Sequence, residues 1–435
     1  MTGRSLRKMD TVDLGPFPSV SGFDSAVELD RSDPLAGFKE RYVFPDPDVI
    51  YLDGNSLGRL PSAAAPIVDR VVCHEWGDRL IRSWNDGWWD LQLDIGDRLA
   101  PLIGASPGEV IISDSTSVNL YKLATAALRA RPDRSRVVTD DTNFPTDVYV
   151  LGAVAEANGA TQDIIATEGQ SDPVAALEAA LDGRTALVSL SHTAFKSGYT
   201  YDLARVTELV HDIGAMVIWD LSHSVGVVPI DLEGAGVELA VGCTYKYLNG
   251  GPGSPAFLYV RRSLQGPLEN PIRGWWGHAD PFDFGLDFRP TAGIRKFHTG
   301  TMPVISLASI DAGLNDVAEA GIDRLRAKSV SLTEFFISQW EEHLERLGFV
   351  LRTPRDSGMR GSHVSLSHPD AWPIDRALIE VGQVIPDFRA PDNLRFGLAP
   401  LYTTHLDVHT AVQRLRLIVE GGVPAGYDRT RRTVT

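Results

Sequence analysis

An acid and a lysine, each following an apolar run, carry the first chemical signal in this sequence. Ala215-Met216-Val217-Ile218-Trp219 reads as a buried strand delivering Asp220 and His223, and Leu239-Ala240-Val241-Gly242-Cys243-Thr244 as a second strand delivering Tyr245 and Lys246. A carboxylate and an amine at neighbouring strand ends suit pyridoxal phosphate (PLP). The amine forms a Schiff base with the cofactor, and the carboxylate keeps the pyridine nitrogen protonated so that the ring can take up electrons. Either residue alone is an ordinary solvated charge at a loop; the pair is what points to chemistry. The run that follows, Tyr247-Leu248-Asn249-Gly250-Gly251-Pro252-Gly253-Ser254, has glycines that permit positive φ and close backbone approach to a ligand.

A phosphate needs its own cradle. Asp114-Ser115-Thr116-Ser117-Val118 places three hydroxyls at the start of an expected helix, where free backbone N–H groups and the helix dipole favour an anion. Ordinary N-capping explains the same residues, and only the aspartate and lysine farther along tip the reading toward phosphate.

The elements that must position these residues alternate along the chain. Strands are expected at 110–112, 137–139, 162–165, 185–189, 216–219 and 256–260. Helices are expected at 63–80, 95–103, 118–129, 148–158, 173–181 and 203–213. Strands alternating with helices predict an α/β fold with a mostly parallel central sheet flanked by helices. A helix from Ser306 into Asn315, another from Ile322 to Leu347, and a closing α+β segment to about Val423 suggest a smaller C-terminal domain. The expected division is an N-terminal arm at 1–47, a large domain at 48–305 and a small one at 306–435, with which the arm can pack.

Composition narrows the partners. With 435 residues and 43% apolar content the chain can bury a large core, and a net charge of −16 argues against nucleic acid or an anionic membrane. Cys73 and Cys243 are the only cysteines, so no disulfide framework or thiolate metal cluster is expected, which suits a reducing cytoplasm. No apolar run is long enough to span a bilayer, and Met1 to Lys8 is not followed by the apolar segment of a secretory signal.

Seven blocks, in order, resemble the kynureninase family: Tyr51-Leu52-Asp53-Gly54-Asn55-Ser56-Leu57-Gly58, Leu80 to Asn85, Asn143-Phe144-Pro145-Thr146-Asp147, Trp219 to His223, Thr244 to Ser254, Gly274-Trp275-Trp276-Gly277-His278 and Arg395-Phe396-Gly397. The resemblance covers nearly the whole chain. It implies a fold-type I PLP enzyme of the class V aminotransferase group that hydrolyses the Cβ–Cγ bond of L-kynurenine to anthranilate and L-alanine in tryptophan catabolism.

Roles follow from the resemblance residue by residue. Lys246 would hold PLP and then move the α-proton, and Tyr245 would relay a proton to the departing alanine. Asp220 would pair with the ring nitrogen, with His223 in support. Phe144 would stack on the ring, with Pro145, Thr146 and Asp147 beside it. Thr116 and Ser117 would bind phosphate, with Ser191 nearby and Tyr245 adding a donor. Trp275 and Thr301 would reach the phosphate of a neighbouring subunit, which implies a homodimer. Arg395 would anchor the substrate α-carboxylate, with Ser56, Trp84 and Gly300 also at the substrate. The kynurenine-preferring bacterial branch of the family carries Trp and Gly-Thr near the aryl ring, as this chain does at Trp84, Gly300 and Thr301. No metal is implied.

The chain departs from the family at Thr193-Ala194-Phe195, Arg273 and Trp276. These changes leave open a kynureninase acting on 3-hydroxy- or otherwise ring-substituted kynurenine in a specialised pathway. The same fold could also serve a desulfurase or aminotransferase of the same group, or a non-catalytic binding protein. A desulfurase would need a mobile nucleophilic cysteine.

Overall fold

A computed structural model describes residues 22–428 of the chain. Among them, seven strands form one sheet in the order 110–112, 257–260, 239–242, 216–220, 185–191, 136–140, 161–165. From 239–242 to 161–165 every pairing is parallel, and only 257–260 runs against its neighbours.

The sequence shows why these strands sit inside. All residues of Thr185–Ser191, Met216–Asp220, Leu239–Gly242 and Phe257–Val260 are buried. Successive side chains alternate between faces, so Val217 and Trp219 enter one apolar cluster while Met216 and Ile218 enter another on the opposite side. Both faces are therefore covered, which is why the runs are continuously apolar. The parallel strands bring their carboxyl ends to one edge, the usual location of a ligand site in such a sheet.

A second, four-stranded antiparallel sheet runs in the order 387–389, 393–397, 363–367, 350–351. It packs with helices Ile322–His343, Ala371–Glu380 and His405–Glu420 around Phe336, Phe396 and Leu415. Ala26, Ile50 and Leu52 share that cluster. Helix Phe23–Arg31 is tied there by Asp30, whose carboxylate accepts the backbone N–H groups of His405 (2.7 Å) and Leu406 (3.0 Å). The expected arm thus has one α-helix and a short 3-10 helix, Ala36–Arg41, within the described residues; its first 21 positions, including Met1 to Lys8, lie outside them.

Two expected helices differ from the structure. The helix expected over 63–80 is α-helical only over Ala64–Asp69 and continues as a wider π-helical stretch, Arg70–Arg79, ended by Leu80 at φ 57°. The helix expected from Ser306 is two, Val304–Ala308 and Ile310–Ala320. At the break the Ser309 hydroxyl lies within reach of the carbonyls of Ser306 (2.8 Å) and Gly250 (2.7 Å), competing with helix continuation. The second helix presses on the lysine loop at Gly313, where a Cβ would fall 2.1 Å from the Leu248 carbonyl oxygen. No helix among the described residues is long and apolar enough to cross a membrane.

Candidate active site

Strand register assembles the site. Ser191 pairs with Asp220 and Asp220 with Val241 across three adjacent parallel strands, so the chain following each strand emerges at the same edge. Ser222 fixes the acid: its N–H (2.9 Å) and hydroxyl (2.6 Å) both donate to Asp220 Oδ1. Lys246 sits in a tight turn in which Asn249 N–H donates to the Lys246 carbonyl and Gly250 N–H to that of Thr244, each at 2.9 Å. The block from Asp53 to Gly58 lies against this turn. Gly58 N–H donates to the Tyr245 carbonyl at 2.7 Å, and a Cβ on Gly58 would be 2.4 Å from the Lys246 carbonyl oxygen.

These elements enclose a cavity of about 290 Å³. Lys246, Asp220, Asp147, His223, Ser222 and Tyr245 form its floor and walls, with Phe144 and Thr146 on one side. Thr116, Ser117, Asn55, Ser56, Arg389 and Arg395 complete the lining. A larger cavity, about 410 Å³, lies near His368 and Tyr427 and has neither a lysine nor an arginine in its wall.

Electrostatics sharpen the roles. Lys246 Nζ lies 3.1 Å from His223 Nε2, and burial together with the Lys246 charge holds the imidazole well below its ordinary range. His223 is therefore a neutral hydrogen-bond acceptor. Asp147 is pushed well above the usual carboxylate range by burial and by the charge of Asp220, against the pull of Lys246. Asp147 Oδ2 has no hydrogen-bond partner among the described residues. The Tyr245 phenol is pushed up by the Cys243 thiol and by burial, so it keeps its proton. Arg395 is bound by Asp387, Nε to Oδ1 at 2.7 Å with a second bond between Nη2 and Oδ2, and Nη2 also donates to Ser56 Oγ at 3.0 Å.

The donor set fits PLP. An amine faces an enclosed space beside the Phe144 ring, 5.8 Å from its centroid, where an aromatic ring can be held. Two buried carboxyl groups share that space, and one has an orphaned oxygen. Ser115 performs the capping, with its oxygen 3.4 Å from Val118 N, and Thr116 and Ser117 line the cavity at a helix N-terminus, a setting that suits an anion.

Not every expected residue reaches this cavity. Pro145 begins helix Pro145–Ala157 and aims Asp147 inward, without lining the cavity itself. The Ser191 hydroxyl donates to Asn143 Oδ1 (2.7 Å), which in turn accepts the Phe144 N–H (2.8 Å), so Ser191 supports the aromatic wall. Trp84, Trp275, Gly300 and Thr301 are absent from the wall formed by this one chain. Trp84 packs on Trp88 and Trp276 at 5.3 and 5.1 Å between ring centroids. Of the departures from the family pattern, Phe195 contacts Phe144 edge-on at 5.3 Å, whereas Arg273 lines a separate surface cavity with Phe288 and Lys296. Arg389, Asp387, Asn55 and Ser222 were not singled out by sequence reasoning. One signal was available for the first two: Asp387-Phe388-Arg389 alternates polar, apolar, polar, which puts the charged pair on one face of a strand.

A mostly parallel sheet presenting a lysine and a buried carboxylate at its carboxyl edge is the architecture of fold-type I PLP-dependent enzymes. Solved structures share it. A cysteine desulfurase from Thermococcus onnurineus NA1 superposes with a TM-score of 0.73 over 91% of this chain and 98% of its own at 18% identity. A variant of C-DES with glycine covalently linked to its PLP cofactor superposes at 0.74 over 86% and 99%, also at 18% identity. At that identity the likeness speaks for the fold alone. Sequence relatives speak for the family. Kynureninase of Burkholderia pseudomallei (strain 1106a) is 45% identical over 402 residues, and that of Pseudomonas fluorescens 44% over 404 residues, each spanning 91% of this chain and 95% of the relative. The family model of the kynureninase C-terminal domain matches residues 325–415. The chain belongs to the kynureninase family.

Proposed function

We propose that this enzyme uses PLP held by Lys246 to hydrolyse the Cβ–Cγ bond of L-kynurenine, releasing anthranilate and L-alanine. The observation that carries the reading is the convergence of the Lys246 amine and the Asp220 carboxylate on one cavity in a chain with this family membership. Bound there, PLP supplies an electron sink for charge developing on the substrate's carbon skeleton. Asp220 would pair with the ring nitrogen and favour its protonated form. Lys246 takes the proton from Cα, with His223 accepting a hydrogen bond from the amine. Tyr245, which keeps its phenolic proton and lines the cavity, would deliver that proton to the carbon that becomes the alanine methyl. Thr116 and Ser117, in the cavity wall, would hold the phosphate, and Ser56 and Arg395 would orient the α-carboxylate.

The reading extends to a homodimer in the cytoplasm. Trp275, Phe282 and Phe284 form an exposed run of aromatic contacts, 6.1 and 6.2 Å between centroids, and Leu286 beyond them is fully exposed. A second copy covering this surface would bring Trp84, Trp275, Gly300 and Thr301 to a neighbour's cavity. In the same reading 48–305 form the PLP-binding domain and 306–435 the small domain, on which the arm packs.

No observation favours a desulfurase. Cys243 is buried with its thiol pushed up by that burial, and Cys73 stands outside the cavity with its thiol pushed up by Asp69. The decisive experiment incubates the holoenzyme with L-kynurenine, with cysteine, and with an amino donor plus keto acid. Anthranilate and alanine from the first alone are expected, and Lys246→Ala should lose that activity while keeping its fold. Sulfide release without anthranilate would overturn the reading. Sedimentation at micromolar concentration tests the dimer.

A further inference from the structure

The arginine expected to grip the substrate carboxylate is already heavily committed. Arg395 has a side chain 1% exposed, and its Nε and Nη2 donate to Asp387, which stands directly opposite on the antiparallel strand pair. Nη2 also donates to Ser56 Oγ and Nη1 to the Phe195 carbonyl. A guanidinium has five N–H groups. Among the described residues four of Arg395's are used, leaving one on Nη1. The two parallel bonds expected of a carboxylate anchor are not available from this side chain alone.

Arg389 lies beside it in a different condition. It lines the same cavity, its side chain is 34% exposed, and it shares Asp387 (2.7 Å to Oδ2) and Ser56 Oγ (3.2 Å) with Arg395. Its Nη1 donates to the Phe388 carbonyl at 3.1 Å, and among the described residues Nε meets no acceptor. We propose that Arg389 is a second arginine of the substrate carboxylate subsite, acting beside Arg395 while Asp387 holds both guanidinium groups in place. This rests on the kynurenine reading above.

Charge balance supports the assignment. Two arginines face one strongly ionised carboxylate, Asp387, which they hold well below the usual range even though burial works to raise it. The other carboxyl groups nearby hold their protons more tightly than an ordinary carboxylate: burial and the Asp387 charge push Asp53 up to about 8 and Asp375 to about 8. Two guanidinium groups thus share one strongly ionised carboxylate, a setting that favours a further anion beside them. Ser56, bonded to Asp387 at 2.7 Å and reached by both arginines, sits at the junction.

The test compares holoenzymes with two ligands: L-kynurenine, and its decarboxylated analogue, which keeps the amine and aryl ketone and lacks the carboxylate. Arg389→Gln should lower kcat/KM for L-kynurenine by about tenfold to a hundredfold, mainly through KM, as expected for a lost charged hydrogen bond. Inhibition by the decarboxylated analogue should be unchanged. A purely structural role for Arg389 would weaken both ligands together, and that result, or unchanged kynurenine kinetics, overturns the inference. Should the glutamine variant fail to retain PLP, Arg389→Lys, which keeps the charge and loses the fork, is judged by the same ratio. Wild-type enzyme that makes no anthranilate overturns the functional reading as well; active wild type with an indifferent Arg389→Gln overturns this inference alone.

Discussion

Lys246 Nζ and His223 Nε2 meet at 3.1 Å inside the cavity, on a ring that is 3% exposed. Because burial and the nearby lysine keep the imidazole neutral, one ring nitrogen is left unprotonated and available to accept from the amine. His363 stands behind it, 6.0 Å between centroids, also held neutral, with its own pKa lowered to about 3 chiefly by burial. His223→Phe removes the acceptor and should lower kcat by about tenfold to a hundredfold. His223→Gln, which keeps an acceptor, should recover most of that loss. Anthranilate release by variants showing the wild-type PLP absorbance checks this, and an unchanged kcat in the phenylalanine variant would reduce the contact to packing.

Arg395→Leu should cost on two fronts. Loss of a buried charged hydrogen bond to the α-carboxylate costs about 2 to 5 kcal/mol in kcat/KM. The change also strips Asp387 of its opposed partner, costing about 3 kcal/mol of stability, the low end for a broken buried pair because Arg389 remains. Substrate kinetics and thermal melts on the same samples separate the two losses. Wild-type values for both would place the anchor elsewhere.

Asp375 makes stability depend on pH. It is fully enclosed, neither oxygen has a partner among the described residues, and burial followed by the Asp387 charge raises its pKa from 3.8 to about 8. Between these values the folded chain keeps a proton that the unfolded chain releases. Stability from this group therefore falls as pH rises from about 4 to about 8, by at most about 1.4 kcal/mol per pH unit. Asp375→Asn should flatten that part of the profile and raise the melting temperature more at pH 8 than at pH 5. Parallel wild-type and variant profiles would refute the assignment.

Substrate choice provides another prediction. Trp84 is braced between Trp88 and Trp276, so an indole brought beside an aryl ring from this cluster could yield little. An added ring hydroxyl would meet a steric and desolvation penalty of about 1 to 3 kcal/mol. L-kynurenine should therefore exceed 3-hydroxy-L-kynurenine in kcat/KM by about tenfold to a hundredfold. Trp84→His should narrow the gap. Equal values in the wild type would show that Trp84 does not govern the choice.

Much of this protein was legible in the linear sequence because its determinants are local. Continuous apolar runs declared strands buried on both faces, and the residues ending them, Asp220 and Lys246, declared the cofactor chemistry. The helix start at Ser115, Thr116 and Ser117 was readable too, since an N-cap needs no distant partner. What the sequence could not disclose are partnerships between segments far apart in the chain. Ser56 meets Arg395 across 339 positions, and the break at Ser309 depends on the carbonyl of Gly250, 59 positions away. Cross-strand register, set by packing, turned Asp387 toward Arg395 and used up most of its donors. It is also tertiary structure that keeps Trp84, Trp275, Gly300 and Thr301 out of the wall their own chain builds. Residue type states what a side chain can do; the fold decides which partners have already claimed it.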